Sequence, residues 1–181
     1  FSKNISYQNF KKKKFFPKKL KFFYKNLIER RNSENNLIKS FTKSYSYSFS
    51  KKQLAKYKKY KIFQIYGMGG SSLGSQAIYD FLKFKIKKKF LFIDNLQAIT
   101  KRDKKKNFTN LVISKSGNTI ETIVNANVLI RPKDKNIFIT ENKNNYLHML
   151  AEKLKSEVIH HNNYIGGRYS VLSEVGMLPS E

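Results

Sequence analysis

Three short stretches of this chain combine residue types and spacings that could do chemistry. Residues 164–170 read Tyr-Ile-Gly-Gly-Arg-Tyr-Ser and run directly into Val171-Leu172-Ser173-Glu174-Val175-Gly176. The adjacent glycines, Gly166 and Gly167, let backbone approach a ligand closely because no Cβ intervenes. Arg168 brings a permanently charged planar fork to the same point, well shaped for an anionic oxygen. An ordinary turn with a surface arginine would use the same residues, so the stretch gains weight from its company.

The second stretch is Gly67-Met68-Gly69-Gly70-Ser71-Ser72-Leu73-Gly74. It is not a dinucleotide fingerprint, because Ser72 stands at the third glycine position, and no Gly-Lys-Ser/Thr follows to make a Walker loop. It offers backbone amides, two hydroxyls and a helix start, a combination suited to a single phosphate. A tight strand-to-helix turn with a serine N-cap is the plainer alternative.

The third is Ser114-Lys115-Ser116-Gly117-Asn118-Thr119-Ile120-Glu121-Thr122. Ser114, Ser116 and Thr119 can each give a hydroxyl to a phosphate oxygen. Lys115 can act through its amide, its ammonium or both, and the following helix adds partial positive charge. The alternative is a capped helix start, with Glu121 in the first turn balancing the dipole. Two such turns on neighbouring strands favour phosphate.

The elements that must position these stretches are legible from residue 61 onward. Short apolar runs predict strands at 61–66, 90–93, 111–113, 136–140 and 157–160. Helical periodicity predicts helices at 73–84, with Ala77, Ile78, Phe81 and Leu82 as its apolar face, and at 119–129 and 146–155. Alternating strands and helices imply an α/β fold, a three-layer αβα sandwich with a mainly parallel sheet. Ligands in such sheets sit at the carboxyl ends of the strands, which is where all three stretches fall.

Residues 1–60 read differently, as a basic helical and extended region set apart from a domain over 61–181. Lys11–Lys14 precede Phe15, Phe16 and Pro17, and Leu20–Arg31 predicts an amphipathic helix with Leu20, Phe23, Tyr24 and Leu27 on one face. Ser44–Ser50 alternates serine with aromatics, predicting a strand or extended segment with solvent-facing serines.

Composition narrows the function. The 181 residues suffice for one sizeable core. The absence of cysteine excludes disulfides and thiolate metal sites from this sequence, and no apolar run is long enough to span a membrane. No signal peptide is visible, so a cytoplasmic protein is expected. The chain begins with Phe1, which suggests a missing or processed N-terminus. The net charge of +25 invites a nucleic-acid reading. Against it, only five of the 37 basic residues are arginine, and base and phosphate readers draw more on arginine forks. Abundant Lys, Asn, Ile, Phe and Tyr also fit AT-rich coding, so no specific nucleic-acid partner is expected.

The Ser114–Thr122 stretch resembles the phosphate loop of sugar isomerase (SIS) domains. Together with Gly67–Gly74 and the Gly166–Pro179 block, it resembles the glucose-6-phosphate isomerase (phosphoglucose isomerase) family over about residues 61–180. That resemblance implies an SIS-type, Rossmann-like fold and interconversion of glucose 6-phosphate and fructose 6-phosphate through an enediolate, as part of glycolysis and gluconeogenesis. It implies that Gly70 and Ser71 contact the sugar phosphate and that Ser114, Lys115, Ser116 and Thr119 hold its phosphate. Gly167 and Arg168 would lie at the reacting carbons, with Glu121 orienting its neighbours. No metal and no cofactor are implied, and a homodimer is.

The family's base, ring-opening histidine and final lysine belong to later motifs not found in these residues. The chain is therefore expected to be a fragment without isomerase activity by itself. Glu174 matches a variable position of the family and is not assigned as the base. His148, His160 and His161 read as structural. The competing reading is a stand-alone SIS-type phosphosugar-binding module without catalysis.

Overall fold

The computed structural model describes residues 18–30, 37–96 and 108–181. The basic stretch Lys11–Lys14, Arg31 and Arg102 lie outside the described residues. Five strands form one sheet: β1 (Ile62–Tyr66), β2 (Lys89–Ile93), β3 (Thr109–Ile113), β4 (Lys135–Thr140) and β5 (Glu157–His160). Their order is β2-β1-β3-β4-β5 and every pairing is parallel. Parallel strands are covered on both faces, so they read as continuous apolar runs rather than alternations. β3 and β4 are covered most completely, with residues 109–113 and 136–140 all buried.

Helices cover both faces. On one side Phe63, Ile65, Leu111, Ile113, Ile137, Ile139 and Ile159 pack with Leu54, Val175 and Leu178. These last three belong to α2 (Lys51–Ala55) and to the C-terminal helix described below. On the other side Tyr66, Ile93, Val112 and Phe138 pack with Ala126, Leu147 and Ala151. Those residues come from α4 (Ile120–Leu129) and α5 (Tyr146–Lys153). Fully burying one such aliphatic side chain is worth about 1.5–3 kcal/mol. The three-layer expectation holds.

α3 (Leu73–Leu82) links β1 to β2, and α6 (Glu174–Ser180) follows a 3-10 turn over Gly167–Leu172. α3 ends two residues before the predicted Phe84, and its inward residues differ from expectation. Phe81 is 76% exposed, while Tyr79 packs tilted against Phe90 and Phe92. α5 also stops early, because Lys155 takes a left-handed φ of 49°. Ser156 N–H then bonds Ala151 O at 2.9 Å and Lys155 N–H bonds Glu152 O at 3.0 Å, a Schellman closure.

The N-terminal elements are α1 (Lys18–Arg30), a 3-10 turn Leu37–Phe41 and α2. The predicted face of α1 forms, but Leu20, Phe23, Tyr24 and Leu27 are exposed. α2 escaped the sequence reading, although Ser50 and Gln53 form a reciprocal capping box at its start. Leu54 and Tyr57 enter the core beside Phe63, and the Tyr57 hydroxyl donates to Glu157 Oε2 at 2.9 Å. Residues 45–49 form no strand. The chain bends at Ser48 and Phe49, with Tyr45 edge-on to Tyr47 at 5.2 Å and Tyr47 stacked on Phe49 at 5.1 Å.

Candidate functional site

The chain runs from β1 through α3 to β2 on one side, then returns to place β3 on the other side of β1. The carboxyl ends of β1 and β3 therefore flank the point where strand order reverses, the usual ligand crevice of open parallel sheets. The first glycine-rich turn leaves β1 and the hydroxyl-rich turn leaves β3. The two sit side by side: a Cβ on Gly67 would stand 3.2 Å from Ile113 O and 3.0 Å from Ser71 Cβ.

After β1 the backbone coils through a 3-10 turn, Gly69–Ser71, into α3. Gly69 adopts φ +56°, the left-handed region that glycine tolerates. Ser72 occupies the N-cap position without making a side-chain cap. It is buried, and its hydroxyl turns back toward Gly69 O at 3.4 Å. Ser71 is half-buried, and its hydroxyl has no hydrogen bond to another described residue.

After β3, Ser114 is buried and its hydroxyl shares a 2.8 Å hydrogen bond with that of Thr119. Thr119 is the N-cap position of α4 but caps no amide with its side chain. The plain capped-helix reading of this stretch therefore does not describe its hydroxyls. Ser116 is exposed and accepts from Asn118 N–H at 3.3 Å. Gly117 has φ +69°, and a Cβ there would collide with the amide of Asn145. Asn145 in turn caps α5 by accepting from His148 N–H at 3.0 Å.

The ammonium of Lys115 is engaged elsewhere. It donates to Asn163 O at 2.7 Å and lies 3.3 Å from Glu141 Oε1. Burial alone would push the Glu141 carboxyl up, but hydrogen bonds from Lys143 and Lys115 outweigh it and hold it below the usual carboxylate range. Lys115 thereby ties the β3 turn to the loop after β5. Glu121 sits half-buried in the first turn of α4 and makes no hydrogen bond to another described residue.

The Gly-Gly-Arg turn is docked on the first glycine turn. A Cβ on Gly70 would collide with the carbonyl of Gly167 and stand 2.9 Å from Arg168 N. Ser170 fastens the contact, its hydroxyl lying 2.7 Å from Gly167 O and 3.2 Å from Gly70 O. A Cβ on Gly74 would stand 2.6 Å from Val171 Cγ2, and Ser75 Oγ donates to Val175 O at 3.0 Å, so α3 also carries α6. Space around Gly167 itself is open. The Arg168 side chain is exposed, with no hydrogen bond or ion pair to any described residue.

The structure thus brings Gly70, Ser71, Gly167 and Arg168 into one neighbourhood, with Ser114, Lys115, Ser116 and Thr119 at the adjoining strand end. Sequence reasoning missed Glu174, which is fully buried. Its hydroxyl partner Tyr45 is 129 residues away, and no local pattern announces such a contact. An apolar recess between α3 and the end of α6 is lined by Ile65, Ile78, Tyr79, Leu82, Phe90 and Pro179. It contains none of the candidate residues.

The chain is thus a doubly wound α/β domain with two hydroxyl- and amide-rich turns at its switch point and an arginine turn docked on one of them. A profile of the phosphoglucose isomerase family matches residues 23–180, and the chain belongs to that family. It is 38% identical over 136 residues to glucose-6-phosphate isomerase of Acholeplasma laidlawii, covering 64% of this chain and 32% of that protein. The chain spans about a third of the length of the curated relatives it matches. Among solved structures, a hypothetical protein of Thermus thermophilus superposes with a TM-score of 0.67 at 21% identity, over 88% of this chain and 42% of that one. Tagatose-6-phosphate ketose/aldose isomerase of Escherichia coli gives 0.53 at 14% identity, over 86% and 42%. The family match begins upstream of residue 61, in keeping with the packing of Leu54 and Tyr57 into the sheet.

Proposed function

We propose that this chain is the phosphosugar-binding part of an aldose–ketose isomerase that interconverts glucose 6-phosphate and fructose 6-phosphate. The observation that carries the reading is the docking of the Gly167–Arg168 turn on Gly70, beside the Ser114–Thr119 turn, at the sheet's switch point. The phosphate is held by the hydroxyls of Ser114, Ser116 and Thr119, by the amide of Lys115, and by Gly70 and Ser71. The Lys115 ammonium shapes the loop after β5 instead, since Glu141 and Asn163 hold it.

Isomerisation moves a proton between C1 and C2 through an enediolate, which needs a carboxylate base, an acid for ring opening and positive charge beside the developing oxyanion. Arg168 supplies the charge, free of any competing described carboxylate, and the open space at Gly167 lets the reacting carbons approach backbone. Glu121, at the start of α4, adds a carboxylate beside the site that no described residue engages. Removing one oxyanion contact typically costs about 3 kcal/mol of barrier. The base and ring-opening acid come from family motifs outside these residues, and the working protein is a homodimer.

Calorimetric titration of the 181-residue chain with glucose 6-phosphate, glucose and inorganic phosphate tests the reading. Binding of glucose 6-phosphate, weaker binding of phosphate and none of glucose is expected, with no fructose 6-phosphate formed. Salt-sensitive RNA binding that is indifferent to glucose 6-phosphate, without sugar phosphate binding, would overturn it.

A further inference from the structure

The segment bearing Arg168 is held at both ends by one buried cluster that phosphate binding does not use. His161 is 3% exposed and Glu174 is 0%. His161 Nε2 lies 3.2 Å from the carbonyl of Ile165, the residue before Gly166. A carbonyl only accepts, so that nitrogen carries the proton. The other ring nitrogen, Nδ1, faces Glu174 Oε2 at 3.6 Å, too far for a hydrogen bond, and the contact is an ion pair only when the ring carries both protons. Nδ1 has no hydrogen-bond partner. The two ends of the segment, Ile165 and Glu174, therefore converge on one imidazole.

Glu174 is fixed from a third direction. The Tyr45 hydroxyl donates to its two carboxylate oxygens at 2.9 and 3.0 Å, and Ser48 N–H donates at 3.1 Å. Asn162 Nδ2 donates to the Tyr45 oxygen at 3.0 Å, closing the cluster onto the loop after β5. Burying a carboxylate this completely is costly unless it is paired and hydrogen-bonded. Here its partners are drawn from the segment before α2 and from the loop after β5, with its own backbone amide at the start of α6. Meanwhile Arg168 has no side-chain anchor among the described residues, so its aim is set by the backbone of its own turn.

We propose that the Glu174–His161–Tyr45 cluster positions the Gly166–Arg168 turn, with Glu174 acting through that backbone as a positioning residue. That Arg168 meets a phosphosugar rests on the functional reading above; the ordering of the turn does not.

The test is backbone 15N relaxation of the full chain and of Glu174→Gln. The substitution keeps an oxygen for Tyr45 and Ser48 but removes the charge facing His161. Order parameters at Gly166, Gly167 and Arg168 are expected to fall from about 0.85 to below about 0.6, with β1 and β3 unchanged. A turn that stays ordered in the folded variant overturns the proposal. Should Glu174→Gln lose its fold, Tyr45→Phe removes one hydroxyl from the cluster, and unchanged order at the same three residues then overturns it. Glucose 6-phosphate titration adds a cycle. Glu174→Gln is expected to weaken binding about tenfold but to add nothing to Arg168→Ala, because sites linked through a shared backbone shift couple. Fully additive losses would refute positioning through Arg168. A loosened turn in a chain that binds no sugar phosphate would leave the positioning intact and sink the functional reading.

Discussion

Gly70→Ala is the sharpest perturbation of the site. A Cβ at Gly70 lands on the carbonyl carbon and oxygen of Gly167 and 2.9 Å from Arg168 N. These are backbone atoms, so no rotamer change relieves the clash. Restoring ordinary separations of about 3.5 Å requires the two turns to part by well over an ångström. Overpacking of this kind costs about 1–3 kcal/mol, and each kcal/mol lowers Tm by about 2–4 °C in a domain of this size. The parting also stretches the Ser170 bridge, whose bonds to Gly167 O and Gly70 O span both turns. The parted turns no longer present Gly70, Gly167 and Arg168 together, so affinity for glucose 6-phosphate is expected to fall too, by about 5–150-fold for a comparable loss of about 1–3 kcal/mol. Thermal unfolding followed by circular dichroism, paired with calorimetric titration, reads both quantities. A Gly70→Ala chain that melts and binds like the parent would show that the turns do not touch.

Gly167→Ala separates packing from ligand approach. Nothing stands within 4 Å of the new Cβ, so stability should change by less than about 0.5 kcal/mol while glucose 6-phosphate affinity drops; undiminished affinity would remove Gly167 from the site. The acid limb of stability follows from two carboxylates. Burial would raise the carboxyl of Glu174, but His161, its own backbone amide, Ser48 and Tyr45 hold it below the ordinary range, as Lys143 and Lys115 do for Glu141. With folded values below unfolded ones, the unfolded chain binds more protons at acid pH. Stability should hold above about pH 4.3 and decline as pH falls through the folded values. Thermal midpoints of Glu174→Gln and Glu141→Gln against pH should show a shallower acid decline, and an unaltered slope would refute the assignment.

The strands, the helices after β1 and β3 and the three turns were legible because their signals are local. A parallel strand buried on both faces is mostly apolar, and a glycine pair or hydroxyl run stands out against it at its end. The order β2-β1-β3-β4-β5, which sets two of those turns side by side, was not legible, since it depends on which side of β1 each crossover returns. Nor could the alternation of Ala77, Ile78, Phe81 and Leu82 reveal that Phe81 stays exposed while Tyr79 turns toward Phe90 and Phe92. The aromatic run at Tyr45–Phe49 read as a possible strand, yet Tyr45 is spent on a carboxylate 129 residues away. Sequence by itself determined which groups each turn offers, because amides, hydroxyls and a guanidinium carry their chemistry wherever they go. Only the tertiary structure decided that Gly70 must be glycine for the sake of Gly167, that Glu141 claims Lys115, and that Glu174 is buried. Those outcomes follow from which surfaces meet, and the free energy of a meeting belongs to two distant segments at once.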